Sequence, residues 1–176
     1  MLIEKDKSAL IVVDVQEKLV SAMPKPHKFI DNIIKLQKAA SILKVPVIFS
    51  EQYPKGLGKT ISKMREKNNF SNIEKTDFAI PINSLSKINK VSEQIIICGI
   101  ETHVCVLQTA INLAKEKKVY IVQDGVSSRH EKDYLTALSR LDKHSNIQIV
   151  SCEMVLFEWL KTSNHPHFKN ISQLIK

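Results

Sequence analysis

Three side chains of this sequence carry the groups that hydrolysis through a covalent intermediate requires: a carboxylate, an amine and a thiol. Asp14 closes an apolar run, Lys75 stands in EKTDFA, and Cys105 follows another apolar run. A carboxylate can take the proton of an attacking thiol and later give it to a leaving amine. If Cys105 begins a helix near a lysine, both features would lower the pKa of its thiol below about 8.5. The three residues therefore predict a nucleophilic cysteine with Asp14 as its base.

Each of these residues, taken singly, also has a structural interpretation. A cysteine near the start of a helix is commonly a small buried side chain, and an aspartate after a strand is commonly a cap. Cys98, within an apolar strand, and Cys152, before a short apolar helix, are predicted to be packing residues. Three cysteines without a CxxC pair favour reduced thiols over a disulfide framework or a zinc ribbon.

The hydrophobic pattern predicts the elements that position these side chains. The unbroken apolar run at 8–13 predicts a strand that is covered on both faces, and 94–98 predicts another buried strand. Further strands are predicted at 45–50, 119–123 and 147–150. Apolar residues at helical spacing predict helices at 27–44, 103–117 and 131–143. This alternation predicts an α/β fold, a three-layer doubly wound (Rossmann-like) sheet, mostly parallel, of about six strands with helices on both faces. The segment 51–59 is predicted to be a loop, and the secondary structure of 66–78 stays open.

The site is expected beyond the carboxyl ends of the strands, where ligands bind in an open parallel sheet. Tyr53 and Phe78 are candidate walls of a substrate pocket, because they follow segments that feed this edge. His103, two residues before the candidate nucleophile, is positioned either to touch substrate or to cap the helix entry. Ordinary packing is the alternative interpretation of Tyr53 and Phe78.

Length and composition favour one globular domain that spans residues 1–176. No apolar run approaches the roughly 20 residues that cross a bilayer, and the N-terminus shows no secretory signal, so we expect a cytoplasmic protein with no membrane partner. The net charge of +8 would attract phosphate, but the lysines are spread along the whole chain. A solvated surface explains them, so nucleic acid is not the expected partner.

Several motifs together resemble those of a known family. The run IIICGIETHVCVLQTA contains Cys105, LIVVDVQ contains Asp14, and KTDF contains Lys75. The segments EQYPKGLG, DGVSSR and HPHFKNISQLIK extend the likeness over nearly the whole chain. The sequence resembles the isochorismatase-like cysteine hydrolases, which include nicotinamidases and carbamoylsarcosine amidases. Its likeness is closest to the small isochorismatase-domain-containing proteins of that family.

The resemblance implies an Asp14–Lys75–Cys105 triad that hydrolyses a small amide-like (C–N) substrate through a thioester. It implies a cis peptide bond between Ile100 and Glu101, and an oxyanion hole formed by the backbone N–H groups of Glu101 and Cys105. It also implies a homo-oligomer, a dimer or larger.

The likeness departs from the metal-binding nicotinamidases in one segment. Those proteins carry an Asp-x-His pair after the second strand, whereas this chain has EQYPKGLGK there. The six histidines show no spacing that would gather three ligands on one element. We therefore expect neither a metal nor another cofactor.

Two other functions are compatible with this fold. One is vinyl-ether cleavage of isochorismate, which the presence of Cys105 disfavours, since that activity places another residue at the cysteine position. The other is a catalytically silent binding or interaction module, possible for any fold and here associated with nucleic acid through its positive charge. Fast alkylation of Cys105 at low pH is the behaviour expected of the enzyme.

Overall fold

The computed structural model describes residues 1–65, 71–85 and 92–175, and these form one parallel sheet between two layers of helices. The strands are β1 Ser8–Val13, β2 Val47–Gln52, β3 Ser71–Lys75, β4 Gln94–Ile100, β5 Lys118–Ser127 and β6 Ile147–Val150. The helices are α1 Glu17–Ser21, α2 Pro26–Leu43, α3 Pro54–Leu57, α4 Ser62–Arg65, α5 Leu107–Leu113, α6 Glu131–Asp142, α7 Cys152–Leu160 and α8 Phe168–Ser172. Short 3₁₀ turns lie at Lys5–Lys7 and Ile82–Leu85, and a π-helical turn at Thr102–Val106.

The strand order is β3-β2-β1-β4-β5-β6, and every neighbouring pair is parallel. This is the doubly wound order in which the direction of winding reverses between β1 and β4. Ligands bind at such a reversal, in the crevice beyond the carboxyl ends of the two central strands. The predicted fold class is confirmed, and the topology places a site after Val13 and Ile100.

The central strand β1 explains why the sheet is covered on both faces. All six of its residues are buried, and they alternate between two cores. Leu10 and Val12 pack in the core with α2, α7 and α8, whereas Ala9, Ile11 and Val13 pack in the core with α5 and α6.

Among the described helices, none is long and apolar enough to cross a membrane.

Three local predictions require correction. The segment 51–59 is not wholly a loop: β2 continues through Gln52, because Glu51 and Gln52 pair with Glu74 and Lys75, and Pro54–Leu57 form α3. The helix predicted at 103–117 is divided into a π-helical turn and α5, which ends at Leu113. Of the segment that stayed open, residues 71–75 are the edge strand β3, and residues 66–70 lie outside the described part.

Candidate active site

The site is built where β1, β3 and β4 end. Asp14 follows the last residue of β1 and has a positive φ of 51°, a left-handed conformation that a short polar side chain tolerates better than most. Lys75 is the last residue of β3, and Cys105 lies in the turn after β4. The three side chains predicted to carry chemistry are therefore at the same edge of the sheet.

Asp14 and Lys75 form a fully buried ion pair. Lys75 Nζ lies 2.7 Å from Asp14 Oδ2, and neither side chain is exposed to solvent. Asp14 Oδ1 accepts a hydrogen bond of 2.6 Å from the hydroxyl of Ser50. Buried charges are costly unless they are paired and hydrogen-bonded, and here each oxygen of the carboxylate has a donor. The carboxylate is thus held in one orientation.

Lys75 has further acceptors that hold its ammonium group in place. Its Nζ donates to Gln52 Oε1 at 2.6 Å and to the backbone carbonyl of Phe78 at 3.1 Å. The carbonyl of Asp77 lies 3.3 Å away. An ammonium group has three donors, and these contacts together with Asp14 occupy them. Each donor of the Lys75 side chain therefore has an acceptor.

Gln52 links this ion pair to the neighbouring loops, and sequence reasoning missed it. Its Nε2 donates to the carbonyl of Thr76 at 2.6 Å, so both ends of its amide are used. The backbone N–H of Gln52 donates to Gln16 Oε1 at 2.7 Å, and Gln16 Nε2 donates to the carbonyls of Gln52 and Gly58. Gln16 belongs to the LIVVDVQ motif and is fully buried. The motif marks Gln16, which fastens β2 to the loop before Thr60, but no motif marks Gln52.

Gly99 allows β1 and β4 to approach closely beside the site. It pairs with Val13, has a φ of +117°, and a Cβ at this position would overlap the backbone nitrogen and carbonyl of Val13. No other residue type fits without displacing one strand. Gly99 therefore sets the distance between Asp14, which follows Val13, and the turn that begins at Glu101.

The turn after β4 carries the candidate nucleophile. The peptide bond between Ile100 and Glu101 is cis. The carbonyl of Glu101 accepts hydrogen bonds from the backbone N–H groups of Val104 and Val106, the two neighbours of Cys105. This turn is π-helical, a conformation often found at functional sites. The amides of Glu101 and Cys105 thus lie on one compact turn beside the thiol.

The Cys105 thiol is close enough to Asp14 and Lys75 for both to influence it. Burial, followed by the negative charge of Asp14, raises the pKa of Cys105 to about 12, and the positive charge of Lys75 opposes this rise. Hydrogen-bond contributions from both residues accompany the charge effects. Cys105 as a whole residue is 6% exposed, whereas the side chains of Asp14 and Lys75 have no exposed surface.

The expectation of a lowered thiol pKa is wrong for the resting protein. That expectation placed Cys105 at the first turn of a helix, whereas α5 begins at Leu107 and Cys105 lies within the π-helical turn. Burial of the sulfur cannot be read from local sequence, and it dominates here. Burial also raises the pKa of Cys152 to about 12 and that of Cys98 well above its usual value. Low-pH alkylation therefore would not distinguish Cys105 from these thiols.

The three candidate pocket residues have different positions. Tyr53, 54% exposed, lines a cleft of about 430 Å³ with Glu74, Lys75 and Pro81. Phe78, 53% exposed, is not among the residues that line this cleft, and its backbone carbonyl contacts Lys75. His103 Nδ1 lies 3.0 Å from the hydroxyl of Ser128, so its ring joins the turn to the loop after β5.

Glu51 lies in the segment EQYPKGLGK, where the metal-binding nicotinamidases carry an Asp-x-His pair. Its buried carboxylate accepts hydrogen bonds from Thr60 N (2.6 Å), Thr60 Oγ1 (2.8 Å) and Asn72 Nδ2 (2.9 Å). Although burial raises the pKa of Glu51, these hydrogen bonds lower it more. Within the described residues, no three His, Cys, Asp or Glu side chains are grouped as metal ligands. Glu51 therefore fastens a loop.

Comparison with known proteins identifies the family of this chain. The model of the isochorismatase domain matches residues 8–153. The chain belongs to the isochorismatase family. Isochorismatase family protein 1A of Dictyostelium discoideum is 39% identical over 176 residues, which cover 95% of this chain and 85% of the relative.

Solved structures of isochorismatase-like proteins share the whole fold. The structure of MAR1 ribonuclease from Caenorhabditis elegans is 36% identical with a TM-score of 0.94, and the match covers 99% of this chain and 92% of the other. The YcaC gene product of Escherichia coli, described as an octameric hydrolase of unknown specificity, has a TM-score of 0.83 and 21% identity over 98% of this chain and 95% of the other. The chain therefore has the isochorismatase-family hydrolase fold.

Proposed function

We propose that the protein is a cysteine-dependent hydrolase that cleaves the C–N bond of a small amide-like substrate. The observation that carries this proposal is the buried Asp14–Lys75 ion pair beside a thiol whose pKa responds to both charges. A buried charge pair contributes little to stability compared with apolar packing, so its presence at the edge where ligands bind favours a catalytic role. Family membership supports the same class of enzyme.

The reaction would begin from a neutral thiol, because the pKa of Cys105 is raised to about 12. As Sγ bonds to the carbonyl carbon, the thiol proton passes to Asp14 and the carbonyl electrons move to oxygen. The backbone N–H groups of Glu101 and Cys105 are the proposed donors to that oxyanion. Lys75 supplies a positive charge that offsets the negative charge shared by the sulfur and the carboxylate.

The remaining steps return every proton. Protonated Asp14 gives its proton to the nitrogen as the C–N bond breaks, which releases the amine and leaves a thioester on Cys105. Asp14 then takes a proton from water as the water oxygen attacks the thioester, and returns it to sulfur as the C–S bond breaks. The sum is amide plus water giving carboxylic acid plus amine.

Incubation with a panel of small amides, followed by intact-mass analysis, tests this proposal. An acyl adduct on Cys105 in the wild type, absent in Cys105→Ala, is the expected result. Cys152→Ala is the matched control, because Cys152 is a second buried thiol whose pKa is about 12. Steady turnover that survives Cys105→Ala would exclude the mechanism, whereas turnover retained in Cys152→Ala and lost in Cys105→Ala supports it.

A second candidate function is action on RNA, since the C. elegans relative is named as a ribonuclease and this chain has a net charge of +8. The amide substrate is favoured because Asp14 and Lys75 have no exposed side-chain surface for a polynucleotide to reach. Cleavage of labelled RNA that weakens steeply with salt and persists in Cys105→Ala would favour the second candidate. Salt-dependent RNA binding without any turnover would favour the silent interaction module.

We also propose the domain organisation, location, cofactor content and oligomeric state of the protein. We expect one domain over residues 1–176 that acts in the cytoplasm on a small molecule, with no metal or other cofactor. The octameric state described for the E. coli relative supports a homo-oligomer. Light scattering of the purified chain measures this directly, and a monomer at micromolar concentration would contradict it.

A further inference from the structure

The loop after β5 holds the nucleophile turn through one nearly buried carboxylate. Glu101 Oε2 accepts a hydrogen bond from the backbone N–H of Arg129 at 3.0 Å and another from Arg129 Nε at 3.1 Å. The Glu101 side chain is 10% exposed, whereas that of Arg129 is 56% exposed. Two donors of one residue thus converge on a single oxygen, an arrangement that fixes both the side chain and the backbone to which it belongs.

Two more contacts join the same segments. Ser127, at the end of β5, pairs with Ile100, the last residue of β4. The hydroxyl of Ser128, which is 2% exposed, lies 3.0 Å from His103 Nδ1. The loop after β5 therefore contacts the nucleophile turn before, at and after Glu101.

This attachment matters because the site consists of two separately supported halves. Asp14 and Lys75 are held by Ser50 and Gln52, which belong to the β1–β2–β3 side. Cys105 lies on the β4 side, in the turn that follows this strand. The carbonyl of Glu101 accepts hydrogen bonds from both neighbours of Cys105, so the orientation of the peptide at residue 101 is coupled to the backbone of the turn.

We propose that Arg129 is a positioning residue that acts through Glu101 to aim the backbone N–H of residue 101 at the developing oxyanion. The proposal rests on the proposed function. It assigns a role to the arginine of DGVSSR, a motif that the triad does not use. Because Arg129 lies on the turn side and not on the side of the acid and base, it should affect steps that develop an oxyanion and spare steps that do not.

Two reactions of the Cys105 sulfur distinguish steps that develop an oxyanion from steps that do not. Acylation by p-nitrophenyl acetate forms a tetrahedral oxyanion before p-nitrophenolate leaves, whereas alkylation by iodoacetamide displaces iodide and forms none. In Arg129→Ala, the rate of Cys105 acylation should fall about 10- to 100-fold. This is less than the roughly 10²- to 10³-fold that loss of an oxyanion donor costs, because the backbone N–H of residue 129 still holds Glu101. The alkylation rate should stay within about threefold of the wild type, because a displacement of iodide makes no use of that donor.

Matched variants make the result specific. Glu101→Gln keeps the size of the side chain and should lower acylation in the same way, and the double variant should be no slower than the worse single one if Arg129 acts through Glu101. Arg129→Lys should retain part of the acylation rate, because lysine keeps the positive charge but lacks the planar guanidinium group. Arg140→Ala, which removes an exposed arginine of α6, should leave both rates unchanged.

Each outcome decides the question. Equal losses in acylation and alkylation, or no loss in either, would overturn the role of Arg129, and so would additive effects in the double variant. If the wild type forms no acetyl adduct that disappears in Cys105→Ala, the proposed function fails before any Arg129 variant is compared. Selective loss of acylation in both Arg129→Ala and Glu101→Gln supports the inference.

Discussion

Replacement of Asp14 by asparagine should change alkylation and turnover in opposite directions. Burial and the Asp14 charge raise the pKa of Cys105 to about 12, so only about one thiol in 10⁴ is ionised at pH 8. A neighbouring like charge shifts a pKa by roughly 1 to 3 units, and Asp14→Asn removes that charge while Lys75 remains. The ionised fraction should therefore rise about 10- to 1000-fold at the same pH.

The gain in alkylation rate is smaller than the gain in thiolate. The nucleophilicity of a thiolate falls as its pKa falls, with a Brønsted slope of about 0.5, so half of the gain on a logarithmic scale is lost. Iodoacetamide should then label Cys105 roughly 3- to 30-fold faster in Asp14→Asn than in the wild type. Turnover of any accepted amide should fall by about 100-fold or more, because the proton carrier is gone.

The assay is the rate of Cys105 labelling by mass spectrometry between pH 6 and 10, with turnover measured on the same samples. Lys75→Met is the matched opposite: it removes the charge that lowers the thiol pKa, so labelling should slow while turnover also falls. If Asp14→Asn instead slows labelling as much as turnover, the carboxylate ionises the thiol in the resting protein. The account of a neutral starting thiol would then be refuted.

Three further predictions concern groups that support the site. Gly99→Ala should lower the free energy of unfolding by at least about 2 kcal/mol in chemical denaturation, because its Cβ would overlap the backbone of Val13 at a positive φ; an unchanged midpoint would contradict the close approach. Gln52→Met should lower kcat about 10-fold and the free energy of unfolding by about 1 to 2 kcal/mol, because Lys75 loses an acceptor at 2.6 Å. Full activity of this variant would show that the acceptor is dispensable. Glu51→Gln should lower the free energy of unfolding by about 1 to 3 kcal/mol at pH 7. The pKa of Glu51 is lowered in the folded state, so this stabilisation is present above pH 4.5 and is lost as the pH falls through the folded pKa. If the difference in free energy of unfolding between variant and wild type were unchanged at pH 3, the ionised Glu51 carboxylate would not be its source.

The sequence predicted best those elements whose signal is local and apolar. β1 has the predicted bounds, because an unbroken run such as SALIVV suits a parallel strand that is covered on both faces. β6 also has the predicted bounds, although it is an edge strand and Gln148 interrupts its apolar residues. β3, Ser71–Lys75, could not be assigned, because an edge strand needs burial on alternate residues only and SNIEK has few apolar residues. The division of 103–117 was also hidden, since apolar spacing hardly distinguishes a π-helical turn from an α-helix.

The candidate site shows the same limit. The motifs identified Asp14, Lys75 and Cys105, and the structure brings them to one edge of the sheet. The direction of the Cys105 pKa was predicted wrongly, because desolvation depends on packing from distant segments. Gln52 was missed because a glutamine at a strand end has no spacing that marks it, and its role arises from two hydrogen bonds across the β2–β3 pair.

The close approach of β1 and β4 at Gly99 bears on how the enzyme would respond to heat. Asp14 and the nucleophile turn are extensions of the two central strands, not of surface loops that can melt early, and central strands are among the last elements to open. Gradual warming should therefore leave Asp14 and the turn of Cys105 in place until the whole sheet unfolds. Lys75 ends the edge strand β3 instead, so activity lost ahead of the secondary structure would mark the opening of that edge.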